Sequence, residues 1–174
     1  MVSAVCNGRV EILTFKQGFL SAIAHDLRLS CPRHEVKVDG RTVAARFWPD
    51  SLIVKGAVRG SVIDPDALSA DQKAEILSNI REKILCTRQH PEISFSGAAE
   101  DVLGGYHVTG KLELVGRQVE LSFFVRSSEG RLLGDVELEP TRWGIQPFRA
   151  LLGAIRLQDR VVVRFDLEAP ANLT

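Results

Sequence analysis

Three stretches of this chain switch, residue by residue, between apolar and polar side chains. Tyr106, Val108, Gly110, Leu112 and Leu114 alternate with His107, Thr109, Lys111 and Glu113. Val119, Leu121, Phe123 and Val125 alternate with Gln118, Glu120, Ser122 and Arg126, and Val161, Val163, Phe165 and Leu167 alternate with Arg164, Asp166 and Glu168. Side chains of a strand project to opposite faces in turn, so each stretch has one apolar and one wetted side. Antiparallel strands of this kind share an interior. They either fill it with their own side chains or leave an apolar hollow, and the choice separates a scaffold from a lipid carrier.

Shorter strands are predicted upstream, over Gly8–Lys16, Ala22–Ser30, Glu35–Val38, Arg41–Trp48 and Ser51–Val58, with Asp39-Gly40 as a hairpin turn. Cys31-Pro32 interrupts pairing because proline brings no donor to the ladder. One helix is predicted. Ser69-Ala70-Asp71-Gln72 has the form of a capping box, and Leu77, Ile80 and Ile84, widened by Ile76, recur at helical spacing until Pro91. Its plain reading is a lid or buttress against the sheet. A meander follows over Glu92–Ala99, Gly105–Val115, Gly116–Arg126, Gly130–Glu139 and Ala154–Glu168, with Pro140 to Phe148 too rich in Pro and Gly for a plain strand. The pattern predicts an all-β antiparallel barrel or sandwich. Closure removes exposed strand edges and favours the barrel.

At 174 residues the chain suits a single domain spanning 1–174. Its 22 basic and 22 acidic residues balance, with no basic stretch, which argues against a nucleic-acid partner. Cys6, Cys31 and Cys86 show no CxxC spacing, so neither a structural zinc site nor a disulfide framework is expected, and free buried thiols are the simpler reading. No signal peptide is read at the N-terminus and no apolar run reaches the length of a membrane span, so a cytoplasmic location is expected.

No nucleophile elbow, phosphate loop, dinucleotide fingerprint or HExxH spacing is present, so neither an enzyme nor a metal or other cofactor is expected. Two places carry candidate chemistry. By parity His25 shares the inward face with Ile23, Leu27 and Leu29 while Asp26 faces away, so the two are no dyad. The imidazole either bonds a buried backbone group or meets a ligand's polar head. Arg142-Trp143-Gly144 either holds a head group under an indole at the barrel rim or is a bulge closing the barrel end.

Four segments resemble the YceI-like polyisoprenoid-binding family. They are Phe19 to Leu29 with its His25, the run His90-Pro91-Glu92-Ile93-Ser94-Phe95-Ser96, the meander Tyr106 to Gly116, and Arg142-Trp143-Gly144-Ile145 followed by Asp159-Arg160-Val161. The resemblance implies a lipocalin-like extended antiparallel β-barrel of about eight strands with one helix inserted between strands, a size at which the interior is either filled or holds one slim ligand. It implies a long-chain isoprenoid or other amphiphilic lipid as partner. The residues expected to meet that ligand are Phe15, Phe19, Ile23, His25, Leu27, Phe47, Phe95, Leu112, Leu121, Phe123, Arg142, Trp143 and Phe165. His25 and Arg142 are assigned to the head group and Trp143 to the mouth. Phe47, Phe95, Phe123 and Phe165 are bulky enough to shorten or plug a tunnel, which keeps a solid barrel acting as an interaction module as the alternative. A hydrolase built on His25 is a third reading, and a homodimer through a rim or edge strand is compatible with the pattern.

Overall fold

The computed structural model describes residues 3–17, 25–150, 152 and 155–171. In chain order its strands are β1 (Ala4–Val5), β2 (Gly8–Lys16), β3 (Asp26–Ser30), β4 (His34–Asp39), β5 (Thr42–Phe47), β6 (Ile53–Arg59) and β7 (Val62–Asp64). Helix α1 (Ala70–Asn79) follows, then β8 (Ile93–Val102), β9 (Gly105–Leu114), β10 (Arg117–Ser128), β11 (Arg131–Leu138), β12 (Arg149–Ala150) and β13 (Ile155–Glu168). The expected strand Ala22–Ser30 is described only from its C-terminal part, where β3 begins at Asp26. β1, β7 and β12 are short additions that the alternation did not announce.

Pairing is antiparallel throughout, in the order β1-β4-β5-β8-β9-β10-β11-β13-β2-β3-β6-β7. β1 and β2 are one run of chain broken at Cys6-Asn7, so this path returns to the segment it started from and the sheet closes. β3 and β4 are likewise halves of one stave, bent at Cys31-Pro32-Arg33, and β5 and β6 are halves of another, bent by the 3-10 turn Pro49–Ser51. Those three bent staves, with β8, β9, β10, β11 and β13, make a barrel of eight. The hairpins of the meander turn tightly: Val115-Gly116 and Glu129-Gly130 all have positive φ, the geometry that matches strand twist.

β5 pairs with β8, but β6 leaves that neighbour and pairs with β7 instead. Helix α1 fills the resulting opening. Ser69 accepts from the Gln72 amide and the Gln72 side chain accepts from the Ser69 amide, so the predicted capping box is present. Ile76, Leu77 and Ile80 pack on a cluster of Leu27, Leu29, Val54 and Leu68. A π-helical turn, Ile80–Ile84, extends the helix toward the main interior cluster. The helix is a buttress set into the wall.

The outer face of β2, β3, β11 and β13 carries paired charges. Arg28 bonds Glu11, Arg164 makes two bonds of 2.8 Å to Asp135, and Arg131 and Arg9 both reach Asp166. Hydrogen bonds from Arg164 hold the Asp135 carboxyl below its usual range, and bonds from Arg131 and then Arg9 do the same for Asp166. Because these folded-state values are depressed, their stabilisation is present above the ordinary carboxylate pKa of about 4 and is lost as pH falls through the folded values. Melting temperature should therefore be flat from neutral to mildly acidic pH and fall below about pH 4. Asp135→Asn should blunt the fall, modestly since the pair is solvent-exposed. An Asp135→Asn acid profile superimposable on the parent's would remove Asp135 from this account.

Candidate functional site: an apolar cavity through the barrel

The interior is hollow. A cavity of about 490 Å³ runs along the barrel and is lined by the inward residues of every stave, among them Val10, Val38, Ala45, Val108, Val125 and Val163. Its wall is almost entirely aliphatic and aromatic. Ile80, Ile84 and Leu85, from the π turn and the residue after it, complete the wall where β6 departs. The lining reaches solvent-exposed residues at both ends. At one end stand Arg41 and Asp101, ion-paired at 2.8 Å, with Tyr106 beside them. At the other are Gln146, Pro147, Phe148, Gln158 and Arg160. The Arg160 guanidinium lies 4.3 Å from the centre of the Phe15 ring and bonds Glu137 at 3.0 Å.

Three of the bulky phenylalanines form a row across the hollow. Phe95 and Phe123 lie 5.7 Å apart, and Phe123 meets Phe165 nearly edge-on at 6.5 Å. Glycines make room for the rings. A β-carbon on Gly97 or Gly110 would come within 2.9 Å or 2.6 Å of the tip of Phe95, and one on Gly134 within 2.4 Å of the tip of Phe165. The rings rest against backbone where other residues would place side chains, so space remains beside them.

Of the residues expected to meet a ligand, Phe47, Phe95, Leu112, Leu121, Phe123 and Phe165 line the cavity. Phe19 and Ile23 lie outside the described residues. Leu27 is inward, as its parity requires, but is covered by the helix within the Leu29, Val54 and Leu68 cluster. Phe15 sits beneath Arg160 and does not line the cavity. His25 lies half-buried just ahead of β3, away from the lining. Arg142 is exposed and donates to the Glu120 carbonyl at 3.1 Å. Trp143 is no cover for an open mouth: it is 1 % exposed, and its Nε1 donates to the Leu112 carbonyl at 3.0 Å. The 3-10 turn Pro140–Trp143 drives the indole into the core beside the β9–β10 ladder, in keeping with the closing-turn reading. Val162, outward by parity, is 7 % exposed and does not form an open surface; Phe124 is 47 % exposed.

Burial pushes the Cys6 and Cys31 thiols up, and Cys31 lines the cavity wall. Among the described residues, no group of three His, Cys, Asp or Glu side chains is placed to hold a metal ion. No described helix is long and apolar enough to cross a membrane. His34 bonds the Cys31 carbonyl through Nδ1, and His107 bonds Ser122 on the outer face. The contributions that the sequence did not disclose come from the helix, from the Gln146–Phe148 loop, and from Arg41 with Asp101. Each depends on contacts between distant segments, and no local pattern marks them.

A closed antiparallel barrel around an apolar channel is a lipocalin-like architecture. The YceI-like domain model matches residues 33–169, and the chain belongs to that family. Solved structures share the fold. BcnA of Burkholderia cenocepacia is similar at a TM-score of 0.65 and 14 % identity, over 94 % of this chain and 96 % of that one. A polyisoprenoid binding domain from Saccharophagus degradans, implicated in plant cell wall breakdown, is similar at 0.58 and 10 % identity, over 95 % and 98 %. A mutant CJ YCEI protein with a monobromobimane guest structure is similar at 0.58 and 9 % identity, over 81 % and 82 %. No curated protein matches the sequence.

Proposed function

We propose that this protein binds a long-chain isoprenoid or similar amphiphilic lipid inside the barrel and sequesters or carries it. The observation that carries the reading is the continuous apolar cavity, whose volume falls in the range of small-molecule sites. Polar groups gather at its two ends, which suits an amphiphile with one long tail. Each methylene withdrawn from water is worth about 0.8 kcal/mol, so a tail of about fifteen carbons gains on the order of 10 kcal/mol before ordering costs. Such binding needs a shaped hollow and no reactive group. The similarity to the Saccharophagus degradans polyisoprenoid binding domain supports the same ligand class.

The head group is assigned to the end bearing Gln146, Gln158 and Arg160, where the exposed Gln146 amide stands beside an Arg160 paired with Glu137 and a Gln158 amide that donates to the Lys16 carbonyl at 2.9 Å. At the opposite end the Arg41–Asp101 pair stands with Tyr106 and brings no side-chain amide. This replaces the assignment to His25 and Arg142, neither of which lines the cavity. The test is organic extraction of freshly purified, denatured protein, with mass spectrometry of the extract. A near-stoichiometric long-chain species is expected. An empty extract, together with no uptake of polyprenyl alcohols or prenyl quinones by the purified protein, would overturn the reading and favour a barrel acting through its surface.

A further inference from the structure

The wall is not continuous. β9 and β10 pair in register from Leu114↔Arg117 to Gly105↔Arg126, and β11 and β13 pair from Arg131↔Glu168 to Leu138↔Val161. Between them, β10 and β11 are joined only at Arg126↔Leu133, Ser127↔Leu132 and Ser128↔Arg131, next to their hairpin turn. Beyond those rungs the two strands part. In an antiparallel ladder alternate residues turn their N–H and C=O to opposite neighbours. Leu121 and Phe123 bond toward β9, so the backbone groups of Ser122 and Phe124 face the parting, as do those of Asp135 from the other side.

The parting is a slit backed by residues that also line the cavity. A cleft on the outer face lies along it, and four of the cleft's lining residues, Leu121, Phe123, Val136 and Phe165, also line the interior channel. The edge-on contact of Phe123 with Phe165 stands between the two spaces. Gly134, opposite Phe165 in the ladder, leaves that ring without a β-carbon behind it on β11. Both ends of the slit are pinned, by the three hairpin rungs at one and by Arg142 bonding the Glu120 carbonyl at the other. Phe124 stands exposed at the lip.

We propose that this slit is a lateral portal through which the ligand's hydrocarbon chain enters and leaves the barrel, with the Phe123 and Phe165 rings as its inner gate. The proposal rests on the lipid-binding reading above. Between β9 and β10, passage through the wall requires breaking ladder hydrogen bonds. Between β10 and β11 it requires two aromatic side chains to change rotamer, and water reaches the unpaired backbone groups from outside. Arg142, expected at the head group, is on this account a positioning residue that sets the slit's length.

The test bridges the lips. In a Cys86→Ser background, Phe124→Cys with Asp135→Cys is reacted with a short bismaleimide, and the same protein capped with N-ethylmaleimide is the control. The probe is parinaric acid, a linear polyene fatty acid whose fluorescence rises in apolar surroundings. The bridge should slow both uptake and release at least tenfold relative to the capped control, leaving Kd within about twofold. Equal rates in bridged and capped protein, with affinity intact, overturn the portal alone. Failure of the unmodified protein to take up parinaric acid, polyprenyl alcohols or prenyl quinones overturns the lipid-binding reading, and the portal with it. Hydrogen exchange on the unmodified protein gives a second arm that needs no variant. The Ser122 and Phe124 amides should exchange at least a hundredfold faster than those of Leu121 and Phe123, and equal protection overturns the slit.

Discussion

Val108→Trp should abolish lipid uptake while leaving the barrel folded. Val108 is inward and buried, pairs with Phe123 on one side and Ala99 on the other, and lines the channel one inward position in from Tyr106. An indole there projects into empty space beside the small Ala99 side chain. In a filled core, added rings cost about 1–3 kcal/mol through displaced rotamers and backbone. Here they meet a hollow, so the melting temperature should stay within a few degrees of the parent's, about the change that 1 kcal/mol produces in a domain of this size. Affinity for parinaric acid should fall at least a hundredfold, about 2.7 kcal/mol of lost binding. The two readouts together are diagnostic. A melting temperature lowered by about 10 °C would mean that the interior has no room. Unchanged affinity with unchanged stability would place the ligand elsewhere.

The second large effect is on stability. Trp143→Ala should cost about 3–5 kcal/mol, the usual range for deleting a fully buried indole. Trp143 is among the largest fully buried side chains, and its cluster includes Leu112, Leu114, Leu138 and Ile145. Urea unfolding followed by the remaining indole, Trp48, measures the loss. Trp143→Phe separates packing from hydrogen bonding. Leu112 keeps its ladder partner Val119, so losing the indole bond does not orphan its carbonyl, and the additional cost should be about 0.5–1.5 kcal/mol. A loss below about 1 kcal/mol for the alanine variant would contradict the burial and return Trp143 to the rim.

These predictions also mark how far the chain could be read before its structure. Period-two alternation placed the inward residues of β9, β10 and β13 correctly, because strand parity is a local property that tertiary context seldom inverts. The capping box fixed the start of α1 for the same reason. The bends at Cys6-Asn7 and Cys31-Pro32-Arg33 left only a proline as their trace, and what they accomplish, closure of the sheet on its own first segment, is a non-local register. The helix stripe of Ile76, Leu77 and Ile80 declared that the helix packs, and nothing in its spacing declared that the following turn would line a channel. Bulky Phe95 and Phe165 raised the question of a plug. The answer lay in Gly110 and Gly134 on neighbouring strands, which only strand pairing brings beneath the rings. Trp143 failed as a mouth residue because an indole beside Gly144 reads alike at a rim and in a core.

The way the barrel closes also determines the order in which it can assemble. The hairpins from β8 to β11 join neighbours in sequence, whereas the ladder that completes the ring matches Gly8 with Leu167 and Thr14 with Val161. Contacts so distant along the chain form only after a large loss of loop entropy, which makes closure the slow step of folding. On the ribosome, β2 emerges long before the strand that will cover its edge exists. Through that interval its unpaired side is open to another nascent chain. The hazard of misassembly therefore rests with the first long strand and not with the meander that is easiest to recognise.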